Sequence, residues 1–252
     1  MTRTDAVPAV PRRSLLPRPT AMRLAATEYQ RLLHVLRSLT PADWTKPTDC
    51  PSWDVRAMTT HALGMVEMAA SPREQSRQVK AARRRGGLFI DALTALQVEE
   101  RAIMRPPQII DRFAARAPKA VRARRLTPAV IRRRRLPDMQ TVGGREEPWT
   151  IGYLLDVILT RDPWMHRTDI VRATGAEHVL TADHDALIVA DVVAEWARRH
   201  GQPYALSLRG PAGGGWTSGA GGPRIELDAV EFCRVLSGRG AAGGLLATQV
   251  PF

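Results

Sequence analysis

Apolar residues recur at helical spacing over long stretches of this chain, and that period restricts it to a mainly helical fold. Leu24, Leu32, Val35, Leu36 and Leu39 line one face of a predicted helix that starts near Ala21 and stops before Pro41. Val55, Met58, His61, Ala62, Met65 and Met68 do the same from about Asp54, until Ser71-Pro72 ends the segment. A third stripe, Phe89, Leu93, Leu96, Ile103 and Met104, predicts a helix from about Leu88 to Met104, broken by Pro106-Pro107. After a Gly143-Gly144 turn, a further helix runs from about Thr150 to Thr174 and closes at Gly175. Residues 108–136 predict another helical piece or two, where arginines blur the pattern. Four main helices joined by short-to-medium links make a bundle, in which facing side chains commonly build metal sites.

The texture changes after Gly175. Residues 182–200 predict a helix through Leu187, Val189, Val192, Val193 and Trp196. Tyr204 to Leu208 and Ile225 to Leu227 then alternate as strands, separated by a Gly-rich hairpin region at residues 210–222 that contains Trp216. A short helix follows from Asp228 to Leu236, giving a small α+β unit. Residues 1–20, with four prolines and no apolar period, read as a mobile arm. The expected domains are therefore the arm at 1–20, a helical bundle at 21–176 and the α+β domain at 177–252.

Two cysteines, Cys50 and Cys233, argue against a disulfide framework or a Cys-rich zinc site, and a reducing cytoplasm is the expected location. No apolar run approaches the roughly 18 residues of a membrane-spanning helix. The net charge of +12 is concentrated: residues 73–135 hold 18 basic and 5 acidic side chains. Arg83-Arg84-Arg85, Arg124-Arg125 and Arg132 to Arg135 could meet phosphates, but no aromatics interleave them and no nucleic-acid motif surrounds them. A solvated basic face is the favoured reading, with a polyanion-binding surface as its rival.

The chemistry-bearing constellation is Thr160-Arg161-Asp162-Pro163-Trp164-Met165-His166-Arg167, taken with His61. Four residues apart on a helix, Asp162 and His166 share a face and can both ligate one divalent metal. His61, on another predicted helix, can supply a third ligand, and three protein ligands leave positions open. Each residue has a plainer reading. His61 lies on an apolar face, where a packed core histidine is common. Asp162-Pro163 can be an N-cap followed by the first helical residue, which would separate Asp162 from His166. The apolar series Ile151, Leu154, Leu155, Ile158, Leu159 runs straight into the motif and favours one helix bent at Pro163. Asp169 can orient His166 or pair with Arg172. His34, His178, His184 and His200 read as surface or loop residues. The glycines at 210–222 lack a P-loop ending, and Cys50 has no base near it in sequence.

Three stretches resemble a known family. Leu39-Thr-Pro-Ala-Asp-Trp44, Pro47 to Arg56 and Thr60-His-Ala-Leu-Gly64 are similar to the N-terminal domain of the mycothiol-dependent maleylpyruvate isomerases. Gly152 to Asp169 resembles the family's second metal-binding segment, and Trp216 to Gly219 with Phe232 to Arg239 resembles its small C-terminal domain. The resemblance implies a DinB-like four-helix bundle followed by a small α+β C-terminal domain. It implies a divalent metal, usually zinc, on His61, Asp162 and His166. Asp162 stands where the founding isomerase type has glutamate, and its arm is shorter.

Mycothiol is the implied thiol cofactor, and the implied reaction is thiol-assisted cis–trans isomerisation or S-transfer on a small electrophilic acid. Arg239, or with less reason Arg234, is the candidate to hold that acid. A monomer or homodimer is expected. The alternatives are a non-catalytic metal-binding or regulatory protein with a basic polyanion-binding surface, and a homologue that keeps the fold without catalysis.

Overall fold

The structure, a computed structural model, describes residues 10–252. In chain order its elements are α1 (Arg18–Ser38), α2 (Val55–Ala70), α3 (Pro72–Arg85), α4 (Phe89–Glu99), α5 (Pro106–Leu126) and the short α6 (Ala129–Arg132). A small hairpin, β1 (Gln140–Val142) with β2 (Arg145–Glu147), leads into α7 (Ile151–Tyr153), a π turn at Leu154–Ile158 and α8 (Leu159–Thr174). The C-terminal unit is α9 (Asp185–His200), β3 (Tyr204–Arg209), β4 (Gly214–Ser218), β5 (Arg224–Asp228) and α10 (Ala229–Leu236).

The bundle consists of α1, α2, α5 and α8, whose inward faces share one core including Leu32, Leu36, Met58, Leu63, Phe113 and Ile170. This corrects the sequence reading, in which residues 88–104 supply a main bundle helix. That stripe forms α4, which pairs with α3 outside the bundle and covers α2. Leu93 and Leu96 find Ala82 there, in a satellite cluster. The bundle position goes to α5, whose buried face is Ile109, Phe113, Ala117 and Ala120. Small residues among arginines carry a faint apolar signal, so this helix was blurred in the sequence.

The helix α3 has no counterpart in the sequence reading. Ser71 ends α2 and starts α3, accepting a hydrogen bond from the Glu74 amide at 3.3 Å with Pro72 as the first helical residue. Only Gln78 and Ala82 of α3 are fully buried, too few to register as a period.

Part of the expected N-terminal arm is also ordered. Residues 18–20 are helical, and the Arg12 amide donates to the Pro148 carbonyl at 2.8 Å while Thr150 returns a bond to Arg12 at 3.0 Å. Residues 1–9 of that arm lie outside the described residues.

In the C-terminal unit the strand order is β4-β3-β5, with β3 antiparallel to β4 and parallel to β5. The Gly-rich stretch is the β3–β4 hairpin and its sequel, as its turn chemistry indicates. The unit's core includes Trp196, Leu206 and Phe232, and it also takes in Leu24 of α1 and Trp164 and Met165 of α8. Bundle and C-terminal unit therefore share α8.

The chain remains helical from Ile151 to Thr174, through Pro163. Proline lacks an N–H, so the Leu159 carbonyl loses its usual partner one turn back. Just before it, the amide of Leu159 bonds to the Leu154 carbonyl in π fashion. The buried guanidinium of Arg124 satisfies the oxygens left over. It donates to the carbonyls of Leu155 at 2.8 Å and Leu159 at 3.0 Å, and to the Thr160 hydroxyl at 2.8 Å. Asp162 is thus inside the helix, and the N-cap alternative is set aside.

Replacing Arg124 by Met should remove its bonds to the half-buried Leu155 carbonyl and the buried Thr160 hydroxyl and leave the Leu159 carbonyl only the long bond from the Tyr29 hydroxyl, at about 1–3 kcal/mol for each buried group left unsatisfied. A urea titration should show a stability loss of about 3 kcal/mol; a loss well under ~1 kcal/mol would mean that this support is dispensable.

Candidate metal centre

Two elements bring the site together. Asp54 caps α2 by accepting from the Ala57 amide at 2.7 Å, and two turns later the helix places His61 against α8. On α8, Asp162 and His166 lie one turn apart on the face toward α2. The His166 Nε2 to Asp162 Oδ1 distance is 3.2 Å, and His61 Nε2 lies 3.6 Å from the same oxygen. The imidazole rings stand perpendicular, centroids 5.3 Å apart. One ligand atom from each of His61, Asp162 and His166 lies within 4.8 Å of the others.

Whether these residues suit a metal can be judged from their unused valences. Neither ring nitrogen of buried His166 makes a well-aligned hydrogen bond, although Nε2 faces the Asp162 carboxylate and Nδ1 faces Asp169, so the ring is held among carboxylates with donor capacity to spare for an ion. Two imidazoles and a carboxylate are a donor set that divalent zinc accepts. Trp53 covers the rings, with its centroid 4.9 Å from His61 and 6.0 Å from His166. The residues fit.

The surroundings hold the ligands in place. Asp169, fully buried, faces His166 Nδ1 at 3.7 Å. Its partner is Arg239, whose Nε lies 3.0 Å from both carboxylate oxygens, and not Arg172, which reaches Asp49 at 3.2 Å. Arg239 Nη2 also lies 3.6 Å from the Cys50 sulfur. Arg239 is thus beside the site through Asp169. Arg234 is turned to Glu231 and Asp49, at 2.8 and 2.7 Å.

A second cluster, Glu28, His184 and Asp185, also has ligand atoms within 4.8 Å of one another. There the charge is already met, because Arg167 donates to Glu28 at 2.7 Å and to Asp185 at 2.8 Å. His184, expected as a surface or loop residue, lies in the turn before α9 but is buried there and bonded to Glu28 at 2.8 Å. Arg161 forms a parallel set with Asp191 at 2.6 Å and Glu195 at 2.9 Å. Sequence reasoning missed both arginines. Their signal was the spacing Arg161, Trp164, Arg167, which places them on a different face of α8 from Asp162 and His166.

The family model for the mycothiol maleylpyruvate isomerase N-terminal domain matches residues 25–171. The chain belongs to this family. The matched span holds all three candidate ligands. A solved structure of the mycothiol-dependent maleylpyruvate isomerase has a TM-score of 0.58 to this fold at 16% identity, over 90% of this chain and 92% of that one. A mutant of that isomerase gives 0.54 at 16% identity, over 89% and 90%. These likenesses show a shared fold extending through the C-terminal unit. No curated protein matches the sequence.

The site's electrostatics follow from its crowding. Burial opposes charge on both Asp162 and His166, but their mutual attraction more than reverses that, with further help from His61 and Asp169. The Asp162 carboxyl is held far below the usual carboxylate range. His166 is pushed up to about 9. Burial also raises the Cys50 thiol, with Arg239 opposing, so Cys50 is a poor source of thiolate.

A raised histidine contributes stability fully below its unfolded value of 6.5 and loses it as pH rises through about 9. In chelator-treated protein, the melting-temperature advantage of wild type over Asp162→Asn should therefore shrink between about pH 7 and pH 10. A difference that stays constant across that range would contradict the ion pair.

Proposed function

We propose that this chain is a metal-dependent, mycothiol-using enzyme acting on a small electrophilic acid. The observation that supports it most is the convergence of one ligand atom each from His61, Asp162 and His166 to within 4.8 Å of one another in a largely buried site. Membership of the mycothiol maleylpyruvate isomerase family points the same way. His61 Nε2, an Asp162 oxygen and His166 Nε2 would hold the ion, with zinc the first candidate. When bound, the metal would favour deprotonation of a thiol, and mycothiol would supply the thiolate for cis–trans isomerisation or S-transfer.

The chain's own residues then have distinct tasks. Asp169 fixes Arg239 through its two carboxylate oxygens, which keeps a guanidinium beside His166 and Cys50. A carboxylate of the substrate can share that guanidinium. Trp53 shields the imidazoles and lowers the local dielectric. The nucleophile is expected from outside the chain, since Cys50 is held as a thiol.

The rival reading, a polyanion-binding surface on residues 73–135, draws on fewer free charges than the composition suggests. Arg77 pairs with Glu74 and Glu100, Arg101 and Arg112 with Glu67, Arg85 with Glu99 and Arg132 with Asp156, while Arg124 is buried on carbonyls. Among the described residues, no helix is long and apolar enough to cross a membrane.

Purified protein should carry about one tightly bound divalent ion per chain. His61→Ala/His166→Ala should abolish it, and full occupancy in that double variant would sink the reading. Mycothiol should raise the melting temperature only of the metal-loaded protein. Maleylpyruvate, named for the relatives, is the first acid to assay. Arg239→Gln should keep the metal and the mycothiol shift while losing turnover by about 100-fold, the scale of a lost charge-assisted contact of about 3 kcal/mol.

A further inference from the structure

The paired helices α3 and α4 direct two buried glutamines at the candidate metal centre, and the polarity of their hydrogen bonds is determined from one end. Gln78 Nε2 lies 3.3 Å from the Gly64 carbonyl and 2.9 Å from a Glu74 carboxylate oxygen. Both can only accept, so the amide nitrogen of Gln78 must face them. Its oxygen therefore faces Gln97 and accepts from Gln97 Nε2 at 2.9 Å. The sulfurs of Met65 and Met68, at 3.3 and 3.2 Å, attract that same amide nitrogen. Gln97 Oε1 is then left toward His61 Nδ1, 2.8 Å away. Against an amide oxygen, Nδ1 must be the donor, so in the neutral ring it is the Nε2 lone pair that is directed at Asp162 and His166.

We propose that Gln97, aligned by Gln78 and Glu74, is a positioning residue that fixes the Nδ1–H form of His61 for metal binding. The inference rests on the metal reading of His61, Asp162 and His166. It assigns a task to the α3–α4 pair, which lies outside the bundle and which the charge pattern alone presents as a basic surface. Gly64 belongs to the device. A Cβ there would sit 2.6 Å from Gln97 Cγ and 2.8 Å from Gln97 Cβ, so only glycine lets the amide approach His61 while offering its carbonyl to Gln78. Gln78 and Gln97 are both fully buried, so water offers no substitute for any of these bonds.

The test is Zn2+ affinity, measured by competition with a chromophoric chelator, in wild type, Gln97→Leu, Gln97→Glu and Gly64→Ala. Loss of an orienting partner of a ligating histidine weakens binding by about 10–100-fold. Gln97→Leu, close in volume, should fall in that range, and Gln97→Glu, which keeps an acceptor for Nδ1 but sets its second oxygen against Gln78 Oε1, should recover part of it. Gly64→Ala should lose affinity despite alanine's higher helix propensity. Wild-type affinity in Gln97→Leu, or no recovery in Gln97→Glu, would overturn the proposal, because a role in packing alone does not distinguish the two variants. Long-range 1H–15N correlation of the His61 ring in chelator-treated wild type supplies the second readout. A ring protonated on Nδ1 and bare at Nε2 supports the relay even if the protein proves to bind no zinc, in which case only the metal reading falls. An unprotonated Nδ1 overturns the relay whatever the metal result.

Discussion

Everything at the candidate site depends on α8 continuing as a helix through Pro163. Only then do Asp162 and His166 fall one turn apart on the face toward His61. A proline in the fifth position of a helix ordinarily costs a hydrogen bond and introduces strain. Here the cost is offset from another helix. The guanidinium of Arg124 on α5 bonds to the carbonyls of Leu155 and Leu159 and to the Thr160 hydroxyl, and the π turn just upstream takes up the irregularity. A buried arginine in the segment that looked like a basic surface thus supports the placement of a carboxylate some distance along α8.

The same helix divides its labour by face. Asp162, His166 and Asp169 turn toward α2 and the site, whereas Arg161, Trp164 and Arg167 turn toward the C-terminal unit. Arg161 is satisfied by Asp191 and Glu195 of α9, and Arg167 by Glu28 of α1 and Asp185 of α9. Buried ion pairs of this kind add little net stability, but removing one partner is costly, so they favour a single docking geometry. That geometry matters to the chemistry, because the C-terminal unit carries Arg239 to Asp169 and Arg234 to Asp49. The loop before α2 is held from both sides, with Asp49 on Arg234 and Arg172 and with Trp53 on the His61 ring.

Three of the four bundle helices and the Asp162–His166 pair were readable in the sequence because both depend on short-range periodicity. The apolar stripes of α1 and α2 and the Asp162–His166 interval follow directly from 3.6 residues per turn, and Asp54 and Gly175 mark helix ends by local capping chemistry. His61 was open as a third ligand from its place on another helix, and the family resemblance strengthened a link that periodicity cannot make. What stayed hidden depends on contacts across the chain. The helix α3 buries little apolar surface, and α5 hides a core face of small residues among arginines. The burial of His184 is decided by Glu28, which lies on a different helix. Gln78 and Gln97 carry no motif at all, and their part is visible only once Gly64, Glu74 and His61 surround them.

The claim that His61, Asp162 and His166 form one metal-binding centre is tested most directly by X-ray absorption at the metal edge of the loaded protein. The expected first shell holds two imidazole nitrogens and carboxylate oxygen at about 2.0–2.2 Å, with the imidazole scattering lost stepwise in His61→Ala and His166→Ala. A shell unchanged by either substitution, or one made of oxygen alone, would show that the ion is held elsewhere and that the convergence of these side chains is only structural.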